Sequence, residues 1–209
     1  MNGREEIKQR LAECPLVAII RGVTPAEAEA IGAAIYEAGI RIIEVPLNSP
    51  EPFDSIGRLA RSLGDRALIG AGTVLKAEDV ARVRDAGGRL AVSPNCSRPV
   101  IEAAVAADLV SAPGFFTPSE AFEALDAGAH ALKLFPAEAA TPAVVKAQRA
   151  VLPKDVPLLV VGGVKPDNMY PYLDAGADGF GLGSGLYTPG RSVDEVRQAA
   201  IRYVEGARG

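Results

Sequence analysis

The sequence predicts an α/β fold, a (β/α)8 (TIM) barrel preceded by a short N-terminal helix. Two observations support this prediction. Eight short apolar runs recur with their starts 20 to 27 residues apart, and segments of helical periodicity separate them. The runs are apolar at nearly every position, which is typical of parallel strands covered on both faces. Eight such strands close most naturally into a barrel, and a doubly wound open sheet is the alternative.

Turn and cap residues bound these elements. Thr24, Thr117 and Ser192 each precede a helical segment and are predicted to be its N-cap. An Ala-Gly pair ends several helices just before the next strand, where glycine supplies the left-handed residue of the C-terminal turn. The apolar runs begin at Leu16, Ile40, Ala67, Arg89, Leu109, His130, Pro157 and Ala177, and the pairs are Ala38-Gly39, Ala86-Gly87, Ala127-Gly128 and Ala175-Gly176.

Length, charge and cysteine content narrow the class of protein. The 209 residues, 48% of them hydrophobic, suffice for one core, so we predict a single domain over residues 1–209. A net charge of −4 without a basic block disfavours a nucleic-acid partner. No apolar run approaches the ~20 residues of a membrane span, and the charged amphipathic N-terminus does not resemble a signal sequence, so we expect a cytoplasmic protein. Cys14 and Cys96 suggest neither a disulfide nor a zinc site.

One lysine interrupts the sixth apolar run. Lys133 lies between Leu132 and Leu134, so it points into the barrel if the two leucines face the helices. Burial lowers the pKa of a lysine, and the neutral amine is the form that adds to a carbonyl. The pattern therefore indicates a Schiff-base nucleophile. The alternatives are a lysine that extends to solvent from the strand end, or one paired with a buried carboxylate.

One acid interrupts the second run in the same way. Glu44 faces the lumen if Ile43 and Val45 face the helices. A carboxyl group beside an amine in an apolar lumen can carry protons during carbonyl addition and carbon–carbon cleavage. The alternative is a purely structural ion pair between Glu44 and Lys133.

Glycine clusters end the last two runs. Gly162 and Gly163 follow the seventh run, and Gly183 and Ser184 follow the eighth. Barrels commonly bind phosphate at these two positions through backbone N–H groups, and the Ser184 hydroxyl adds a donor. Turn chemistry explains either cluster alone, but the two together predict a phosphate site.

Three further strand-end residues suit a pocket for a keto acid. The Arg21 guanidinium and the Thr73 hydroxyl can hold a carboxylate, and Phe135 shares the inward parity of Lys133. A solvated rim charge equally explains Arg21, and simple packing explains Phe135. His130, the only histidine, begins its run at the opposite end of the barrel and is predicted to be structural. Because neither paired histidines nor clustered carboxylates occur, we expect no metal and no cofactor.

Over essentially its whole length the chain resembles the family of 2-keto-3-deoxy-6-phosphogluconate and 2-keto-4-hydroxyglutarate aldolases. This resemblance implies a lyase, a metal-independent class I aldolase that forms a Schiff base with pyruvate, and a homotrimer. It implies Lys133 as nucleophile, Glu44 as proton shuttle, Arg21 and Thr73 as keto-acid ligands, and Gly163, Gly183 and Ser184 as ligands of a 6-phosphate. The matching segments are Glu44 in its strand, Gly70 to Val74, Ser93 to Asn95, Pro113-Gly114, Lys133 to Pro136, Gly162-Gly163 and Gly183-Ser184.

Two segments depart from the phosphogluconate-cleaving members of that family. Those members typically read Glu-Val-Thr-Leu-Arg-Thr in the second strand and Thr-Gly-Gly in the seventh, whereas this chain has Glu44-Val-Pro-Leu-Asn-Ser49 and Val161-Gly-Gly163. Its segment from Ile20 to Pro25 is more similar to members that cleave 2-dehydro-3-deoxy-6-phosphogalactonate in galactonate degradation. The resemblance then implies pyruvate and D-glyceraldehyde 3-phosphate as products, with Arg21 replacing the arginine that is absent at position 48.

Three alternatives stay open from the sequence. The first is an aldolase for the gluconate epimer or for 4-hydroxy-2-oxoglutarate. The second is a sugar-phosphate isomerase or epimerase in which Lys133 and Glu44 act as acid and base without a covalent bond. The third is a noncatalytic protein that binds sugar phosphates.

Overall fold

Nine parallel strands form one sheet in the structure, a computed structural model that describes residues 2–208. Their order is β5-β4-β3-β2-β1-β9-β8-β7-β6, and helices flank them in the (β/α)8 arrangement that the sequence predicts. The strands are β1 Leu16–Ile19, β2 Ile42–Pro46, β3 Leu68–Gly72, β4 Leu90–Val92, β5 Val110–Ala112, β6 Gly114–Phe115, β7 Leu132–Leu134, β8 Leu158–Val161 and β9 Gly179–Leu182. The helices are α1 Gly3–Glu13, α2 Pro25–Glu37, α3 Pro52–Leu63, α4 Ala77–Asp85, α5 Arg98–Ala106, α6 Pro118–Asp126, α7 Pro142–Arg149, α8 Tyr170–Asp174 and α9 Val193–Arg208.

The fifth apolar run forms two strands where the sequence predicts one. Pro113 separates β5 from β6, because proline has no N–H to donate to a ladder. The short strand β5 pairs with β4, and β6 pairs with β7, so this one run joins the two ends of the strand order. The N–H groups of Ala131 and Lys133 also donate to the carbonyls of Ser111 and Pro113. The barrel closes at this point.

Alternating side chains divide the apolar residues into a lumen and an outer layer. In β2, Ile42 belongs to the buried cluster inside the barrel, whereas Ile43 and Val45 pack against the helices. Strand β7 follows the same rule, with both of its leucines, Leu132 and Leu134, in the outer layer. This alternation leaves the side chains of Glu44 and Lys133 on the inner face, as the sequence predicts.

The amino-terminal mouth of the barrel is plugged by α1. Ile7 and Leu11 of this helix are buried in the lumen cluster. His130 lies at the same end, where its Nδ1 accepts a hydrogen bond from the Ser111 N–H at 3.0 Å, which confirms its predicted location away from the strand ends. In the described residues 2–208, the carboxyl-terminal mouth remains open for a ligand. Among residues 2–208, no helix combines the length and the apolar character that a bilayer crossing requires.

The helix termini follow the predicted cap chemistry. Thr24 and Thr117 form capping boxes with the glutamates three residues later, and Ser192 exchanges hydrogen bonds with Glu195 in the same pattern. The four predicted glycines that follow helices have φ values between 90° and 117°. These are left-handed conformations that glycine adopts without strain.

Thr117→Ala should lower the free energy of unfolding by about 1 kcal/mol, because it removes the side-chain acceptor of the Glu120 N–H at the start of α6. Thr141→Ala is the matched control, since Thr141 is the N-cap of α7 but makes no side-chain cap hydrogen bond. Urea denaturation of both variants checks this. Equal losses in the two variants would show that the capping box contributes nothing specific.

Candidate active site

A cavity of about 560 Å³ opens at the carboxyl-terminal mouth of the barrel. All strands are parallel, so their carboxyl ends meet here, and a barrel of this type places its chemistry at this end. Most of the residues predicted from the sequence line this cavity. They are Arg21, Lys133, Phe135, Gly162, Gly163, Gly183 and Ser184.

Lys133 brings an amine into the apolar lumen. Its side chain is only 6% exposed, and its Nζ lies 5.0 Å from the centroid of the Phe135 ring. Burial lowers the pKa of Lys133 below its usual range, the charge of Glu44 partly opposes this shift, and the charge of Arg21 adds to it. A lowered pKa increases the fraction of neutral amine, which is the nucleophilic form.

Glu44 is the second ionisable group of the lumen. It is 2% exposed, and its Oε2 has no hydrogen-bond partner within the described chain. Burial raises the pKa of Glu44 to about 7, although the charges of Lys133 and Arg21 pull it down. The carboxylate lies over Gly72 of β3, where a Cβ would collide with it. Glycine at position 72 therefore makes the room that the Glu44 carboxylate occupies.

The structural ion pair that the sequence left open is not formed. Within residues 2–208, no nitrogen–oxygen distance of 4.0 Å or less joins Lys133 to Glu44. Each group nevertheless shifts the pKa of the other, so the two lie within electrostatic reach. An acid and an amine that are buried and not bonded to each other are both free to exchange protons with a ligand.

Arg21 and Thr73 lie together at the carboxyl-terminal mouth. The Arg21 Nη1 donates to Asn48 Oδ1 at 2.5 Å and approaches Thr73 Oγ1 at 3.5 Å. Thr73 has a φ of 54°, a left-handed conformation that is uncommon for a β-branched residue and is found most often at functional sites. The result is a guanidinium and a hydroxyl side by side, which is a suitable arrangement for a carboxylate.

The glycine-rich segments after β8 and β9 also line the cavity. Gly162 and Gly163 have φ values of 116° and 64°, and an added Cβ at Gly183 would meet no atom within 4 Å. In the described chain, the backbone N–H groups of Gly163, Gly183 and Ser184 donate no hydrogen bond within the protein. Free N–H groups on two adjacent segments, with the ammonium of Lys165 beside them, suit an anion such as phosphate.

Two predicted residues, Glu44 and Thr73, lie next to the cavity wall but are not part of it.

Sequence reasoning missed several residues that are part of the wall. Lys165 follows the seventh apolar run and was accessible to the same strand-end argument. Tyr203 carried no signal, because it lies in α9 and reaches the cavity only in the folded chain. The wall residues that were missed include Glu138, Lys165, Tyr187 and Tyr203.

The described residues contain no group of three or more His, Cys, Asp or Glu side chains that converge as metal ligands. The cavity and the lumen next to it instead hold a buried amine, a buried carboxyl group, a guanidinium beside a hydroxyl, and backbone N–H groups without a hydrogen bond in the described chain. This combination suits covalent addition to a carbonyl compound that carries a carboxylate at one end and a phosphate at the other.

The protein-family model described as KDPG and KHG aldolase matches residues 7–199. The chain is 48% identical over 194 residues to the 2-dehydro-3-deoxy-6-phosphogalactonate aldolase of Escherichia coli (strain K12). The matched region covers 93% of this chain and 95% of that protein. It is 50% identical over 189 residues to a probable enzyme of the same name from Rhizobium meliloti (strain 1021), with coverages of 90% and 89%.

A solved structure described as native KDPGal is 47% identical and superposes with a TM-score of 0.92, covering 94% of this chain and 95% of that one. These similarities extend over nearly the whole barrel and confirm the resemblance drawn from the sequence. The chain belongs to the KDPG and KHG aldolase family and is therefore a lyase.

Proposed function

We propose that this chain cleaves 2-dehydro-3-deoxy-6-phosphogalactonate to pyruvate and D-glyceraldehyde 3-phosphate through a Schiff base on Lys133. The names of its relatives in Escherichia coli and Rhizobium meliloti support the substrate. The observation that carries the mechanism is the burial of the Lys133 amine in the lumen, with a lowered pKa and no ion-pair partner within the described chain.

The proposed reaction begins when the neutral Lys133 amine adds to the C2 carbonyl, and loss of water leaves an iminium ion. A base then takes the proton of the C4 hydroxyl, the C3–C4 bond breaks, and its electron pair moves to the iminium nitrogen. D-glyceraldehyde 3-phosphate leaves at this step. The remaining enamine takes a proton at C3, and hydrolysis by water releases pyruvate and restores the amine.

Glu44 is the proton carrier in this scheme. A carboxyl group with a pKa of about 7 is present in both protonation states near neutral pH, so it accepts and returns protons at little free-energy cost. Its unpartnered Oε2 is available for a hydrogen bond to a ligand. No other carboxylate is buried in the lumen of the described barrel.

Two groups of residues orient the substrate. Arg21 and Thr73 hold the carboxylate, and Phe135 forms the apolar wall beside the reacting carbons. Gly162, Gly163, Gly183 and Ser184 hold the 6-phosphate with their N–H groups and the Ser184 hydroxyl. Val161 replaces the threonine of phosphogluconate-cleaving members at the cavity wall, which removes a hydroxyl near the C4 oxygen and weakens selection for the gluconate epimer.

The proposed assembly rests on the family resemblance alone. The resemblance implies a homotrimer, and we propose that copies of this chain assemble in this way without nucleic acid or membrane. The cytoplasmic location stays a prediction of the sequence.

Trapping should place the covalent bond on one lysine. Addition of pyruvate and borohydride is expected to give a stable adduct that peptide mass spectrometry maps to Lys133. Lys133→Met should abolish both the adduct and turnover while it preserves the fold, because methionine fills the same apolar space without an amine. Lys165→Ala, which removes the other lysine of the cavity wall, should still form the adduct. An adduct on Lys165, or none while pyruvate binds, would contradict the assignment.

Glu44→Gln should lower kcat by about 10²- to 10⁴-fold, the usual contribution of a positioned acid–base group. Steady-state kinetics measures this loss.

The same variant should change how the free energy of unfolding depends on pH. Burial raises the folded-state pKa of Glu44 from 4.5 to about 7. The protonated carboxyl group therefore contributes to the free energy of unfolding of wild type below about pH 4.5, and this contribution is lost as the pH rises through about 7.

Glutamine stays neutral, so the variant should gain stability relative to wild type between about pH 4.5 and pH 7, by up to roughly 3 kcal/mol for a shift of this size. Urea denaturation at a series of pH values measures the difference. If the difference were constant over this range, Glu44 would not titrate there, and its role as proton carrier would be wrong.

The substrate assignment is tested by comparing the two C4 epimers at equal concentration. We expect kcat/KM to favour the galactonate form by at least about 10-fold, since single-group differences in a pocket give discrimination of this order. Val161→Thr should narrow that preference by restoring the hydroxyl. Steady-state kinetics with both epimers measures this, and a clear wild-type preference for the gluconate form would overturn the assignment.

A further inference from the structure

Helix α9 lies behind the two segments that carry the proposed phosphate ligands. The first segment, residues 162–166, follows β8, and the second, residues 183–187, follows β9. An added Cβ at Gly206 of α9 would lie 2.5 Å from the carbonyl oxygen of Pro166. The helix therefore approaches the first segment closely enough to require glycine at that position.

Tyr203, one helical turn before Gly206, contacts both segments. Its hydroxyl donates to the carbonyl oxygen of Val164 at 3.0 Å. On the other segment, a Cβ at Gly185 would collide with the same hydroxyl oxygen. One buried hydroxyl group thus lies between the two segments, bonded to one and in close contact with the other.

The surroundings of Tyr203 fix this arrangement. The residue is only 5% exposed, and burial raises the pKa of its hydroxyl, so the group stays protonated and remains a donor at neutral pH. The second segment has an independent support, because the Arg191 Nη1 donates to the carbonyl oxygens of Gly185 and Leu186 at 2.8 and 2.9 Å. The first segment has local support as well, since Asn168 Nδ2 donates to the carbonyl oxygen of Gly163 at 3.0 Å and Asn168 Oδ1 accepts from the Lys165 N–H at 2.9 Å. Tyr203 contacts both of these supported segments.

We propose that Tyr203 is a positioning residue for the 6-phosphate: its hydroxyl sets the spacing between segments 162–166 and 183–187 so that the N–H groups of Gly163 and Ser184 converge on one anion. This inference rests on the proposed function, which assigns the phosphate to these segments. A tyrosine that only filled space under α9 would act through its ring, and the loss of the hydroxyl would then leave phosphate binding unchanged.

Tyr203→Phe tests the role of the hydroxyl while it keeps the ring. For the phosphorylated keto acid, KM should rise by about 3- to 10-fold, the size expected for one lost hydrogen bond, while kcat stays within about 2-fold. For the unphosphorylated keto acid, both constants should stay unchanged. Tyr172→Phe is the matched control, because the Tyr172 hydroxyl donates to the carbonyl oxygen of Ala140, which is outside the cavity wall.

A second variant tests the contact with Gly185. Gly185 does not have a left-handed φ, so alanine there adds a methyl group without backbone strain. In wild type this methyl collides with the Tyr203 hydroxyl, but with phenylalanine at 203 the nearest ring atom would be Cζ at 3.2 Å. Gly185→Ala should therefore raise KM for the phosphorylated substrate more in wild type than in the Tyr203→Phe background.

Three results decide whether Tyr203 positions the phosphate site. Thermal denaturation checks that each variant is folded. A KM effect confined to the phosphorylated substrate, together with the non-additive double variant, supports the proposal. Equal losses on both substrates, or none on either, would show that Tyr203 only packs. If wild type itself uses both substrates equally well, the phosphate site of the proposed function fails, and the role of Tyr203 fails with it.

Discussion

The burial of one amine inside a closed barrel is the constraint on which the site depends. An ammonium ion in an apolar lumen costs several kcal/mol unless it is paired, so the protein shifts the equilibrium of Lys133 toward the neutral amine. Glu44 experiences the same environment with the opposite consequence, because burial favours its protonated form. Burial in the lumen therefore favours the uncharged form of both groups, although the two are not bonded to each other.

The barrel provides this environment because one of its mouths is filled and the other is open. At the amino-terminal mouth, α1 inserts Ile7 and Leu11 and excludes a ligand. At the carboxyl-terminal mouth, glycines follow β8 and β9 and line the cavity, which leaves room for a ligand. Gly72 shows how specific this is, since any larger residue would occupy the space of the Glu44 carboxylate. The position of the site thus follows from which mouth is filled.

The cavity also collects groups that suit anions. Arg21 lies near Lys133 and Thr73, and the free backbone N–H groups and Lys165 on the segments after β8 and β9 line the same cavity. Under the proposed function these groups hold the carboxylate and the phosphate of the substrate with its carbonyl next to the amine. The position of α9 behind those two segments links the spacing of the anion site to the packing of the last helix.

The sequence by itself determined the barrel, the inward direction of Lys133 and Glu44, and the helix caps. Each of these depends on local periodicity or on residues a few positions apart, which a single chain displays directly. It did not determine that Pro113 would divide the fifth run. A proline interrupts a strand only where a neighbouring strand needs a hydrogen bond from that N–H, and the neighbours are known only in the folded barrel. Nor did the sequence reveal Tyr203, the Arg21–Asn48 contact or the missing Lys133–Glu44 ion pair. These are distances between side chains far apart in the sequence, and only the closure and packing of the whole barrel decide them.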